Sequence, residues 1–242
     1  MQIITNTWVY LAQTPLLWLT ITLIVYQLSA LLYRRLNSPT LLNPIITSIV
    51  VLVTLLLVTK TPYEVYFEGA QFIHFLLGPA TVALAVPMYR YYRKLMQIFG
   101  PVSGALIIGS IVGILSAVGI GWLFNLSQVT LLSLAPKSVT TPIAMGIAEQ
   151  IGGLPSLTTV FVILTGIIGA LLGQKILDLL RIRDNSIRGF TLGLSAHGLG
   201  TATAFQEGEE AGAFAGLAMG LNGTVTAILI PILVQLFYYL MQ

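Results

Sequence analysis

Lys137, Ser138, Thr140 and Thr141 stand within five consecutive positions of the segment SLAPKSVTTPIAMGIAEQIGG, residues 133–153, flanked by Pro136 and Pro142. Neither proline has an N–H to give, and each interrupts a regular helix. The hydroxyls therefore fall where the helical backbone pattern fails. N–H groups freed at the start of the next helix carry partial positive charge and favour an anion, to which Lys137 adds a full charge. These residue types in this order describe a seat for a small carboxylate. The plainer alternative is that the hydroxyls fill close helix contacts while Lys137 reaches lipid headgroups.

A second cluster lies in GLSAHGLGTATAFQEGEE, residues 193–210. Ser195, His197, Gly200 and Thr201 combine a hydroxyl, an imidazole and a backbone that turns tightly or approaches a ligand closely. His197 titrates near neutrality and is a candidate to carry a proton; the alternative is a packing histidine bonded to a nearby carbonyl. Glu207, Glu209 and Glu210 form the densest acidic patch, and Glu207 and Glu210 join His197 as coupling candidates. Asn222 is a lone carboxamide in the last apolar run that must find partners inside the bundle, and it completes the candidate substrate-binding set.

Other chemistries lack their residues. The chain has no cysteine and two histidines, one of them His74 in QFIHFLLGP, expected to pack in or near a span. No metal site, thiol chemistry or cofactor is expected. Ser195 and His197 have no aspartate beside them and no G-x-S-x-G elbow, and no Walker A loop occurs, so an enzyme is not expected.

The elements that must position these residues are set by composition. The 242 residues are 56% hydrophobic and 8% charged, with mean hydropathy +0.92. Soluble domains carry about a quarter of their residues as charges, so lipid must be the outer solvent. The net charge of +3 is small and scattered at span ends, which argues against nucleic acid. The N-terminus has no basic stretch before its apolar run and is expected to stay attached as a first span. Hydropathy places full spans near 13–33, 42–59, 66–90, 101–126, 156–178 and 211–240, each close to the length a bilayer needs. Residues 128–152 and 187–207 are left as interrupted segments.

Cationic clusters follow three of the spans: Arg34 and Arg35; Arg90, Arg93 and Lys94; Arg181, Arg183 and Arg188. Placing all three in the cytoplasm starts the N-terminus outside and requires 128–152 to return to the side it entered. The rival is a broken helix that crosses fully. Either way residues 187–207 would be the counterpart, entering from the opposite face if both are hairpins. SVTTPIAMGIAEQIGG and GLGTATAFQEGEEAGA echo each other in order: small and hydroxyl residues, then acids, then glycines. Paired interrupted helices of inverted repeats are a recurrent transporter plan.

LAPKSVTTPIAM, ILTGIIGALLG, RIRDNSIRGFTLGLSAHGLGTA and EGEEAGAFAGLAMGLNG, in this order, resemble the LrgB/CidB family of bacterial membrane proteins over about residues 40–235. The resemblance implies holin/antiholin-like control of murein hydrolases with a smaller LrgA/CidA-type partner. It equally implies transport, since related plastid envelope proteins translocate glycolate and glycerate and some bacterial members are associated with pyruvate uptake. Lys137, Ser138, Thr140, Thr141 and Pro142 coincide with the family's K-S-V-T-T-P run, and His197, Gly200 and Thr201 with its S-H-x-L-G-T-A run. Three positions depart from it: Ala196 stands where a serine precedes the histidine, and Ala215-Gly216 replaces a serine pair.

The expectation is thus an all-α polytopic membrane protein, one integral domain over 1–242, with about six full spans, two interrupted or re-entrant segments and inverted repeats. It would reside in the bacterial inner (plasma) membrane as a homo-oligomer and carry small monocarboxylates by alternating access. The competing expectation is a regulator of wall hydrolases with no substrate of its own.

Overall fold

The computed structural model describes residues 15–36, 42–83 and 85–240, all-helical among those residues. The chain divides into two compact units, Met1–Ala83 and Leu84–Gln242. The first holds α1 (Pro15–Arg35), α2 (Pro44–Thr59) and α3 (Tyr63–Ala83). Pro44 opens α2 where its missing N–H costs nothing, Asn43 caps it by accepting from Ile45 N, and Lys60 closes it in the left-handed region at φ 52°. Trp18 is buried and meets Tyr66 edge-on at 5.8 Å. The expected packing of His74 falls on a side chain outside the described residues.

The second unit contains α4 (Ala85–Arg90), α5 (Tyr92–Gln97), α6 (Phe99–Leu123), α7 (Gln128–Leu134), α8 (Thr141–Ile151), α9 (Pro155–Leu179), α10 (Asn185–Glu207) and α11 (Glu209–Leu240). Among the described residues four helices are long and apolar enough to cross a bilayer: α1, α6, α9 and α11. The expected span at 42–59 is the 16-residue α2; the one at 66–90 falls on α3 and α4, with residue 84 outside the described residues. Outward faces are apolar, as at Ile108, Leu115, Ile163, Ile168, Ile228 and Ile232, which is the surface that lipid requires.

Between the long helices lie two segments that fold back. In α10 the backbone leaves helical geometry at Ala196 (φ −127°, ψ 16°) and His197 (φ 42°, ψ −127°). The two ends of α10 then meet: Arg188 Nε and Nη2 donate to Glu207 Oε2 and Oε1, each at 2.7 Å. A continuous helix would hold these residues about 28 Å apart, at about 1.5 Å per residue. Glycines let the arms and α11 close together. A Cβ on Gly200 would lie 2.1 Å from Leu192 O, and one on Gly189 or Gly193 would strike the carbonyl of Ala211 or Ala215.

The other folded-back segment is α7, a turn at 135–140, and α8. Thr140 and Pro142 start α8, and Gly152 ends it at φ 87°. The returning chain passes α7 so closely that a Cβ on Gly153 would lie 3.0 Å from Ser133 N. Ser133 Oγ accepts from Leu154 N at 2.8 Å, and Thr158 Oγ1 donates to Ser133 O at 3.0 Å. Residues 128–152 thus leave from the Leu123 end of α6 and come back beside α7 to the start of α9.

The opposite end carries the ion pairs. Lys94 reaches Asp184 at 3.3 Å and Glu210 at 2.6 Å, Arg90 reaches Glu209 at 2.6 Å, and Arg188 also reaches Asp178 at 2.7 Å. The clusters at 90–94 and 181–188 therefore share one end of this unit.

Candidate functional site

The two breaks meet at Asn222, near the middle of α11. Its Nδ2 donates to Ser138 O at 3.1 Å and to Leu194 O at 3.0 Å. One carbonyl belongs to the turn of the first hairpin. The other sits three residues before His197, where the kink interrupts the helix ladder. Carbonyls freed at membrane depth must find donors within the protein, and a single amide serves both. Asn222 Oδ1 accepts from Ser110 Oγ at 2.7 Å and from Thr226 Oγ1 at 3.2 Å. All four hydrogen-bonding positions of this carboxamide are thereby filled inside the protein, and its exposure is 2%.

Around this node the side chains differ in what they leave unused. Lys137 is half-buried and its Nζ donates to Ser138 Oγ at 3.1 Å. No carboxylate pairs with it among the described residues. The Thr140 hydroxyl does not cap α8, so the first N–H groups of that helix lack a side-chain acceptor from it. Thr140 and Thr141 are both half-buried.

His197 lies on the second hairpin's tip, 6% exposed. Its Nε2 is 3.0 Å from Val162 O; a carbonyl only accepts, so Nε2 carries the hydrogen. Thr201 Oγ1 donates to His197 O at 2.9 Å. Lys137 is close enough to His197 for the two to interact electrostatically.

The structure brings Lys137, Ser138, His197, Thr201 and Asn222 to the meeting of the hairpins. Gly200 serves the close approach of the two arms. Ser195 faces outward and donates to Thr191 O at 2.7 Å. Glu207, Glu209 and Glu210 lie in the ion pairs at the opposite end of α10 from its tip. Val162 and Leu194 enter through backbone carbonyls, which no side-chain pattern announces. Gly166 enters because a Cβ there would lie 2.8 Å from His197 Cε1; its signal was the glycine repeat in ILTGIIGALLG.

An integral membrane protein of all-helical build, with two folded-back segments sharing one polar centre, is the class that this geometry defines. The chain belongs to the LrgB-like family, whose model matches residues 22–236. It is 36% identical over 218 residues to the Uncharacterized protein YxaC of Bacillus subtilis, covering 90% of this chain and 94% of that one. It is 38% identical to YwbG of the same organism, over 90% and 96% of the two chains. With the Holin-like protein CidB of Staphylococcus epidermidis it shares 30% identity over 92% and 96%. No solved structure matches it.

Proposed function

We propose that the protein is a secondary carrier for small monocarboxylates of the glycolate, glycerate or pyruvate type, binding them where the two hairpin tips meet. The observation that carries this reading is Lys137: a half-buried ammonium beside a hydroxyl, without a carboxylate partner among the described residues. A buried cation is costly unless an anion compensates it. Pyruvate, lactate or glycolate supplies that charge in a size suited to a narrow polar centre. The hairpins enter from opposite ends, and their echoing sequences both start at the tips, as inverted repeats do. The ion-pair end faces the cytoplasm of a bacterial inner membrane by its cations. A monocarboxylate entering against a negative-inside potential is opposed by about 2.3 kcal/mol per 100 mV. A proton carried with it, with His197 as its carrier, cancels that cost.

The relative called holin-like favours a second reading, a regulator of wall hydrolases acting with a small LrgA/CidA-type membrane partner. The polar groups here gather at one depth, whereas a pore lines several helices along their whole length.

Uptake of two- and three-carbon acids by the purified protein in proteoliposomes tests the carrier. Lys137→Met is expected to lower affinity by about 100-fold, the scale of removing one member of a buried charged contact. Normal affinity in that variant, or no uptake of any acid by the wild type, overturns the carrier reading.

A further inference from the structure

We infer that His197 is the specificity-determining residue of this site, its Nδ1 accepting the hydroxyl hydrogen of a 2-hydroxy acid and thereby selecting it over the corresponding 2-oxo acid. The inference rests on the carrier reading and adds to it the choice of substrate.

Three features hold the imidazole in one state. The backbone at His197 lies at φ 42°, ψ −127°, a conformation that favours glycine and that a β-carbon resists. A histidine kept there is kept for its ring. Gly166 gives that ring its place: a Cβ at 166 would come within 2.8 Å of Cε1 and 3.0 Å of Nε2. Finally, Val162 O fixes the hydrogen on Nε2, so the neutral ring presents Nδ1 as a bare acceptor. Nδ1 has no partner among the described residues. No buried side-chain nitrogen or oxygen among them is sealed without one, so Nδ1 is not fully sealed.

Lys137 and Nδ1 offer complementary ends to one small molecule. The ammonium takes the carboxylate, as it does for any monocarboxylate. Nδ1 takes a hydrogen, which lactate has on its 2-hydroxyl and pyruvate lacks. Against pyruvate, two acceptors face each other, and such a mismatch discriminates more strongly than a missing contact. Protonation converts Nδ1 into a donor, which a keto oxygen satisfies as well as a hydroxyl does. The ring meets Val162 O and Gly166 of α9 and lies within electrostatic reach of Lys137 of the first hairpin, while Thr201 of its own helix bonds the His197 carbonyl. Lys137 is the charged one among them, so the ring is the group whose titration reshapes the choice.

The test is equilibrium binding of lactate and pyruvate, equal in size and charge, to the full chain in detergent micelles at about pH 8 and about pH 5.5. The wild type is expected to prefer lactate by about tenfold at the higher pH, the worth of one hydrogen bond, and to lose that preference at the lower. His197→Gly suits the backbone and deletes the ring. This variant is expected to bind both acids through Lys137 with no preference at either pH. Equal wild-type affinities at the higher pH, a preference constant with pH, or a His197→Gly protein that still prefers lactate each overturn this inference and leave the carrier standing. Binding of neither acid by the wild type overturns both.

Discussion

The two folded-back segments share a node at Asn222 but are held at their bases by different forces. The base of α10 is ionic: Arg188 is 11% exposed at its side chain and grips Glu207 with two nitrogens, while Lys94 bridges Asp184 and Glu210. The base of the α7–α8 hairpin is neutral, resting on Ser133 with Leu154 and Thr158. Their tips differ too. One breaks at prolines and leaves an ammonium bonded to a hydroxyl, with no carboxylate on it among the described residues; the other breaks at a strained histidine. Two hairpins doing similar work have thus been closed by whichever chemistry their end of the bundle supplies. The ionic base is rigid by charge and answers to pH and salt, whereas the neutral base answers to neither.

Removing the strongest tie of the ionic base should break this contrast most. Arg188→Ala leaves Glu207 and Asp178 without their cation, and loss of one partner of a poorly solvated pair costs about 3–5 kcal/mol. Thermal unfolding in detergent should show a large fall in midpoint, and an unchanged midpoint would mean that the base of α10 is held by its glycine packing alone.

A smaller effect is expected at the neutral base. Ser133→Ala removes the acceptor for Leu154 N but keeps Ser133's carbonyl bond to Thr158, at a cost of about 1 kcal/mol. The loss should be the same at low and high salt, in contrast to Arg188→Ala. Salt sensitivity measured for Ser133→Ala would erase the distinction between the two bases.

The smallest effect is a titration. Glu210's hydrogen bond, with that of Asp184 behind it, holds the Lys94 ammonium above its ordinary value of 10.5. The stability it lends is complete below that value and is lost as pH rises through the raised one. Lys94 is more than a third exposed, so solvent screening leaves under about 1 kcal/mol. Unfolding midpoints should therefore decline slightly in the alkaline limb for wild type and not for Lys94→Met. At the acid limb the sign reverses for Asp184. The Ser186 hydroxyl, first, and Lys94 hold its carboxyl below 3.8, so its contribution disappears as pH falls through that depressed value.

The sequence was most readable where breaking the helix needs special residues. Pro136, Pro142 and the hydroxyls between them marked the first turn, and placing the cations at 181–188 in the cytoplasm favoured a returning chain over a full crossing. The kink at Ala196–His197 was legible only as glycine density, because the residue that bears the positive φ is not a glycine. The partners of Asn222 were illegible. Ser138 O and Leu194 O are backbone atoms, identical in every residue, and the fold alone brings them to one amide. The pairing of Glu207 with Arg188 was hidden for a related reason: nineteen residues apart on a straight helix they never meet.

Asn222 is followed by Gly223, and that dipeptide gives the shared node a chemical lifetime. In a flexible chain the glycine nitrogen attacks the neighbouring carboxamide carbon, ammonia leaves, and hydrolysis of the resulting ring yields aspartate or its backbone isomer. In the folded protein the helix holds that nitrogen away from the side chain, while Ser110, Thr226 and the two tip carbonyls pin the amide. An aspartate at 222 would set a carboxylate against two carbonyl oxygens and could donate to neither. Time spent unfolded is therefore recorded covalently at this residue, and a molecule so altered has lost the group that joins its two halves. Deamidation at this residue is therefore one route by which thermal inactivation becomes irreversible.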